Sequence, residues 1–365
     1  MKNLVILGAG TAGTMMANHL VKKLNKKEWQ ITLVDQFKSH YYQPGFLFIP
    51  FGTYQPEDVK RTIDEFLPKG IQLIREKIDR IDKDTDTVIL ENGRNVKYDI
   101  LIIATGCKIA PEEVPGMKGD TWQKNIFDFY TFEGSCALAK KLETWPGGKL
   151  VVHITEMPIK CPVAPLEFAF LADDYFTKKG MRDKVEISYV TPLSGAFTKE
   201  KCTKALEYLL KDKNIKIVPD FAVEHIEGEN GKMFDYGGEV VDFDLLVTVP
   251  TNMGDECILR SGFGDDLNYV PTDKNTLQSK VKENIFVIGD ATNVPASKAG
   301  SVAHFEAEIL TENILKYIEG KPLNPKFDGH ANCFIETGKG KALLIDFNYD
   351  VDPLKGKFTF GGIGP

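Results

Sequence analysis

Apolar and polar residues alternate along the chain in blocks that predict strands and helices in turn. Leu4 to Leu7 is wholly apolar, the mark of a strand covered on both faces. Gly8 to Gly13 interrupts it, and a helical stretch follows whose solvated face would carry Lys22, Lys23, Lys26 and Lys27. Ile31 to Val34 reads as a second buried strand. Pro56 to Phe66 reads as a helix with Pro56 and Glu57 in its first turn. Ile71 to Leu90 holds short strands broken at Asp82 to Thr85, and Tyr98 to Gly106 is a buried strand ending in small residues. After a Pro111 to Gly119 linker the plan repeats. Helices are predicted over Thr131 to Glu143, Pro165 to Lys179 and Thr198 to Lys211, strands over Lys149 to Ile154 and Val185 to Val190, and short strands between Phe221 and Val249. Glu283 to Asp290 is a strand ending in Gly289-Asp290, Ser301 to Glu319 is a long helix, and Lys321 to Pro365 is a tail.

This rhythm places the chain in the α/β class. It predicts two Rossmann-like domains of the dinucleotide-binding type, the second inserted into the first, plus a C-terminal tail. The boundaries fall at 1–110, 111–255, 256–322 and 323–365.

The opening break carries the first chemistry. Gly8-Ala9-Gly10-Thr11-Ala12-Gly13 is a G-x-G-x-x-G loop between a strand and a helix, and Asp35 closes the next strand at the spacing of a ribose-binding carboxylate. Gly8 permits a tight turn, Gly10 lets the backbone approach a pyrophosphate, and Gly13 lets the helix pack against the strand. The helix N-terminus offers free N–H groups to phosphates.

Composition narrows the class further. The 365 residues carry a net charge of -7, so nucleic acid is excluded as a natural partner. No apolar run approaches the ~20 residues of a membrane span. Met1 stands almost in the first strand, and the expectation is a protein without signal peptide, cytoplasmic or on the cytoplasmic membrane face. The six cysteines, at 107, 136, 161, 202, 257 and 333, form no C-x-x-C, so no metal site is expected.

The order Gly8-x-Gly10-x-x-Gly13, Asp35, Ala104-Thr105-Gly106, Gly289-Asp290 resembles the two-dinucleotide-binding-domain flavoproteins. The resemblance implies FAD as cofactor, held by Gly8, Gly10, Thr11, Ala12, Gly13, Asp35, Gln36, Tyr42, Ala104, Thr105, Gly106, Gly289, Asp290 and Lys298. Superfamily members that use NADH or NADPH carry a second glycine loop after the strand that opens the second domain. Here that segment, Thr155 to Pro165, contains three prolines and an acid but no glycine. Such a loop lacks the close backbone approach and free N–H groups that a pyrophosphate needs. Electrons must enter another way.

Cys161 stands in that segment, near a predicted helix N-terminus, a position that lowers a thiol's pKa. Lys160 to Glu167 resembles the Cys-x-x-x-Pro-x-Glu segment of sulfide:quinone oxidoreductases and of the flavoprotein subunit of flavocytochrome c sulfide dehydrogenase. Ala331 to Glu336 resembles the segment of their second reactive cysteine, here Cys333, and Pro295 to Gly300 their flavin-adjacent Lys-x-Gly turn. The resemblance implies oxidation of hydrogen sulfide to sulfane sulfur or polysulfide by the cysteine pair, with electrons passed through FAD to a membrane quinone. Cys161 would face the flavin and Cys333 would hold sulfur. Glu167 would carry protons, and Lys298 would stabilise the reduced flavin. Phe46, Phe334, Phe358 and Phe360 would receive the quinone. Peripheral attachment to the cytoplasmic side of the membrane follows, with a homo-oligomer left open. The alternatives are a sulfide dehydrogenase flavoprotein with a cytochrome acceptor, a type II NADH:quinone oxidoreductase, and a non-catalytic sulfur carrier or sensor.

The resemblance has departures. Tyr130 stands where a third cysteine often occurs, a histidine is missing from Thr191 to Phe197, and the chain stops near where an amphipathic membrane segment would begin. Cys107, Cys136, Cys202 and Cys257 read as structural.

Overall fold

The computed structural model describes residues 1–353. β1 (Lys2–Leu7) leads through α1 (Thr11–Leu20) to β2 (Trp29–Val34), then to β3 (Ile71–Ile74) and β4 (Ile100–Ile103). β5 (Cys107–Ala110) leaves this group. β6 (Ile126–Phe127), α2 (Phe132–Thr144), β7 (Gly148–Ile154), α3 (Ala164–Lys178), β8 (Val185–Val190), α4 (Glu200–Asp212), β9 (Ile215–Val218) and β10 (Leu245–Val249) then build a second unit. β11 (Thr251–Gly254) runs back antiparallel to β5. β12 (Ile285–Val287) and α5 (Gly300–Ile318) rejoin the first unit, and a hairpin of β13 (Ala331–Gly338) and β14 (Lys341–Phe347) follows.

Each unit is centred on a five-stranded parallel sheet, in the orders β12-β4-β1-β2-β3 and β6-β10-β7-β8-β9. The fold is therefore α/β with two Rossmann-like units, the second inserted into the first, and a C-terminal extension. Alternate residues of β1 explain its unbroken apolar run. Leu4 and Ile6 pack with residues of α1 and α5 on one face, while Val5 and Leu7 pack on the other with Val34, Leu101 and Ile103. In each sheet the strand order reverses beside one strand, β1 in the first unit and β7 in the second. The crevice outside that strand's carboxyl end is where open α/β sheets bind ligands.

Two expected elements differ. α1 ends at Leu20, and Lys22, Lys23, Lys26 and Lys27 lie exposed in the turn beyond it rather than on a helix face. Asn25 competes for the backbone there: its Oδ1 accepts from the Lys27 N–H and its Nδ2 donates to Glu28. Pro56 to Phe66 is not a helix. Gln55/Asp58 and Thr62/Glu65 each form a capping box that closes a single 3₁₀ turn. Lys60–Thr62 between them is a strand paired with Ser39–Tyr41. Among the described residues no helix is long and apolar enough to cross a membrane.

Candidate active site

At the carboxyl end of β1 three loops converge. Gly8 adopts φ +96°, and a Cβ there would stand 2.4 Å from the Ala104 carbonyl oxygen. A Cβ on Gly13 would stand 1.9 Å from the Gly8 carbonyl oxygen, so helix and loop touch only because it is absent. A Cβ on Gly289 would lie 3.2 Å from Ala12, which puts the Gly289-Asp290 turn against the start of α1. Gly10 and Gly106 instead face space that no atom of the described residues fills within 4 Å. α1 begins with no side-chain cap and no acid in its first turn. The Thr105 hydroxyl is buried without a partner among the described residues. Open glycines, uncapped amides and an orphaned hydroxyl fit a pyrophosphate-bearing cofactor.

Asp35 accepts from the Ala9 N–H at 2.6 Å and from the Phe37 N–H at 2.7 Å, one bond on each oxygen. It braces the glycine loop and keeps acceptor capacity for a ribose. Burial pushes its carboxyl up, against the pull of those amides. His40 Nδ1 lies 3.1 Å from the Ala9 carbonyl oxygen. Gln36 is exposed, and Tyr42 is exposed with its ring edge-on to Tyr54.

The loop after β7 holds Cys161. α3 starts at Ala164, and Cys161 stands three residues before it with φ +47°, in the left-handed region. The lowered pKa expected from a helix N-terminus is absent. Burial pushes this thiol well above its ordinary value, the Glu167 and Cys333 charges add to the rise, and the Ala164 N–H beside the sulfur opposes it without reversing it. Desolvation of a thiolate outweighs one turn of helix dipole. Cys333 lies on β13, which packs on α3, and burial pushes it up to about 11 with Glu167 adding to the rise. Glu167, only 6 % exposed, accepts from the Glu336 N–H at 3.0 Å, and burial raises its carboxyl to about 7. One carboxylate thus bears on both thiols. All six cysteines are free.

Lys298 links the two crevices. Its carbonyl accepts from the Cys161 N–H at 2.6 Å. Its ammonium donates to the carbonyls of Asp290 (3.0 Å) and Thr292 (2.6 Å) and sits 3.8 Å from the Tyr269 ring centroid. Burial lowers its pKa, with the Asp290 charge opposing. Asn252, on β11, accepts from the Lys160 N–H at 3.1 Å and lies 3.8 Å from the Cys107 sulfur. That sulfur is also 3.8 Å from Asp290 Oδ2, so Cys107 belongs to this network rather than to plain core, and burial pushes it up to about 12. Cys202 and Cys257 are buried, and Cys136 is half-buried.

Of the aromatic candidates, Phe46 is buried in a small cluster with Ile49 and Val59, its ring near Tyr41 and Phe132. Phe334 is 61 % exposed. Phe358 and Phe360 lie outside the described residues. Among the described residues no group of His, Cys, Asp and Glu is arranged for a metal. Three residues went unassigned in the sequence. Asn252 and Tyr269 carry no local signal. Glu306 does, since it interrupts the apolar stripe Val302, Ala303, Ala307, Leu310 of α5. It is fully buried and accepts from the Gly289 N–H at 2.7 Å.

Residues 2–152 match the family model for pyridine nucleotide-disulphide oxidoreductases. The mitochondrial sulfide:quinone oxidoreductase of Dictyostelium discoideum is 28 % identical over 354 residues, 95 % of this chain and 77 % of its own. Over nearly its whole length the chain is similar to sulfide:quinone oxidoreductases. The sulfide-quinone reductase of Aquifex aeolicus is 27 % identical over 88 % of this chain and 78 % of its own. The crystal structure of the Aquifex aeolicus sulfide:quinone oxidoreductase shares the fold at TM-score 0.82 and 23 % identity, covering 97 % of this chain and 85 % of that one.

Proposed function

We propose that the chain is an FAD-dependent oxidoreductase that oxidises sulfide at Cys161 and Cys333 and passes the electrons to a quinone. One observation carries the reading. The loop that would hold a nicotinamide dinucleotide instead presents Cys161 beside Glu167 and Cys333, and its backbone is bonded to the Lys298 segment next to Asp290.

Hydrosulfide attacks the Cys333 sulfur of a Cys161–Cys333 bridge. The S–S bond breaks, a new S–S bond leaves a persulfide on Cys333, and Cys161 departs as thiolate with the electron pair. The two then close again through the added sulfur, with loss of two electrons and one proton. FAD, when bound, would supply the two-electron acceptor between the cysteine pair and the quinone. Burial makes the Cys161 thiolate a basic, unstable species, and so a strong nucleophile and reductant rather than a resting anion. Glu167, with its carboxyl raised to about 7, takes up the released proton near neutrality. Gly8, Gly10, Thr11, Ala12, Gly13, Ala104, Thr105 and Gly106 would hold the cofactor phosphates, Asp35 the ribose, and Gly289 and Asp290 the ribityl chain, with Gln36 and Tyr42 at the open rim. Lys298 holds the Asp290 turn and would offer its positive charge to the reduced flavin. Phe334 offers an exposed aromatic surface to the quinone, and Phe46 is assigned to packing. The functional divisions are 1–110 and 256–322 for FAD, 111–255 for the redox cysteine, and 323–365 for the quinone and membrane side. The enzyme works peripherally, on the cytoplasmic face of the membrane.

The test is anaerobic mixing with sulfide and then with a short-chain quinone, following flavin absorbance. Sulfide bleaches the flavin, quinone restores it, and NADH does neither. A flavin bleached by NADH and untouched by sulfide overturns the reading.

A further inference from the structure

Cys161 holds a conformation that it does not favour alone. A left-handed φ on a residue other than glycine costs about 1 kcal/mol or more and persists only where neighbours impose it. Three hydrogen bonds surround this residue. Its N–H donates to the Lys298 carbonyl at 2.6 Å. Its carbonyl accepts from the Ala164 N–H at 3.0 Å and from the Tyr130 hydroxyl at 3.0 Å. The first two are backbone bonds that any residue at these positions could make. The third is a side-chain bond, and it reaches across from the segment before α2.

Tyr130 is itself fixed. Its N–H donates at 2.9 Å to Asp128 Oδ1, which also accepts from the Thr131 N–H and hydroxyl. Its ring meets Phe129 edge-on at 5.0 Å, and Phe129 stacks on Phe168 of α3 at 4.9 Å. The phenol is buried, which keeps it protonated and therefore a donor throughout the working range. The Lys160 ammonium stands 5.8 Å from the same ring and donates to Gln43 Oε1 at 3.0 Å, so the residue preceding the cysteine is also held.

We propose that Tyr130 is the positioning residue for the sulfur chemistry: its hydroxyl clamps the Cys161 carbonyl, holds the left-handed turn, and so fixes where the Cys161 side chain leaves the backbone. This rests on Cys161 being the redox cysteine. The hydroxyl does not touch the sulfur. It acts through the backbone, by preventing the turn from relaxing toward an ordinary negative φ that would carry the side chain elsewhere.

Tyr130→Phe removes the donor and keeps the ring. In the FAD-loaded protein, the rate of flavin reduction by sulfide falls by between about fivefold, the factor of one neutral hydrogen bond, and about a hundredfold, the cost of a misplaced reacting group. Reduction by dithionite is unchanged. Iodoacetamide alkylation of Cys161, located by peptide mass spectrometry, speeds up about fivefold as the freed turn samples open conformations. A merely structural tyrosine would move neither ratio once the melting temperature is matched. The alkylation arm needs no turnover, so it decides the matter even for a variant that loses flavin. Unchanged sulfide and alkylation rates in Tyr130→Phe overturn the clamp. Cys161→Ser is the separate arm: if it still reduces flavin with sulfide at the parent rate, the reading of Cys161 fails instead.

Discussion

Glu167 is a carboxyl whose environment sets its role. Burial holds it at about 7, and it stands by two thiols that it also raises. Glu167→Gln keeps the acceptor for the Glu336 N–H but cannot move a proton. Sulfide-driven flavin reduction is expected to fall by roughly 10²- to 10⁴-fold, and the pH-rate limb near 7 to vanish, in stopped-flow profiles. Glu306 makes a second prediction, on stability. Its carboxyl rises from 4.5 to about 8 because it is buried under the Gly289 turn. The folded chain then holds this proton where the unfolded chain has lost it, so the contribution is full below about pH 4.5 and fades as pH rises through about 8. Denaturant midpoints should fall over that window in the parent and fall less in Glu306→Gln. Residues like Asp35 and Cys161 could be singled out because a motif surrounds them. The sign of the Cys161 shift could not, since it is decided by burial, to which β13 contributes from far along the sequence.

The glycine loop lets its parts be tested separately. Gly13→Ala forces a Cβ to 1.9 Å from the Gly8 carbonyl oxygen, so thermal denaturation should show a lower melting temperature even without cofactor. Gly10→Ala meets no atom of the described residues within 4 Å, so the cofactor-free protein should melt as the parent does while FAD affinity, followed by flavin fluorescence, drops at least tenfold. The buried strands and the long helices were legible in the sequence because unbroken apolar runs and 3.6-residue spacing are strong signals. Residues Pro56 to Phe66 were not. Two capping boxes there enforce single turns, and the pairing of Lys60–Thr62 with Ser39–Tyr41 is a tertiary choice that periodicity does not encode. The β5–β11 pair escaped notice for the same reason, being two short segments that find each other across the whole inserted unit.

At the scale of the molecule, two units of similar plan divide one task. Only the first should bind a dinucleotide. Added to flavin-stripped protein at about a hundred times its dissociation constant, FAD should contribute about 2.7 kcal/mol and raise the melting temperature, and NADH at the same concentration should leave it unchanged. The contact between Cys161 and Lys298 lies where the crevices of the two units meet, so neither unit alone holds the site. That arrangement has a consequence in time. Glu167 and the Glu336 amide that it accepts from are 169 residues apart. A ribosome adding about 5 to 20 residues per second needs on the order of ten to thirty seconds to supply the second after the first. Until Lys298 is added Cys161 lacks that carbonyl, and until Cys333 is added it lacks its partner sulfur, so only Tyr130 and Ala164 can hold the turn early in that interval. The nascent chain therefore carries an unpaired thiol, completed as a redox pair only when the hairpin of β13 and β14 leaves the ribosome and docks.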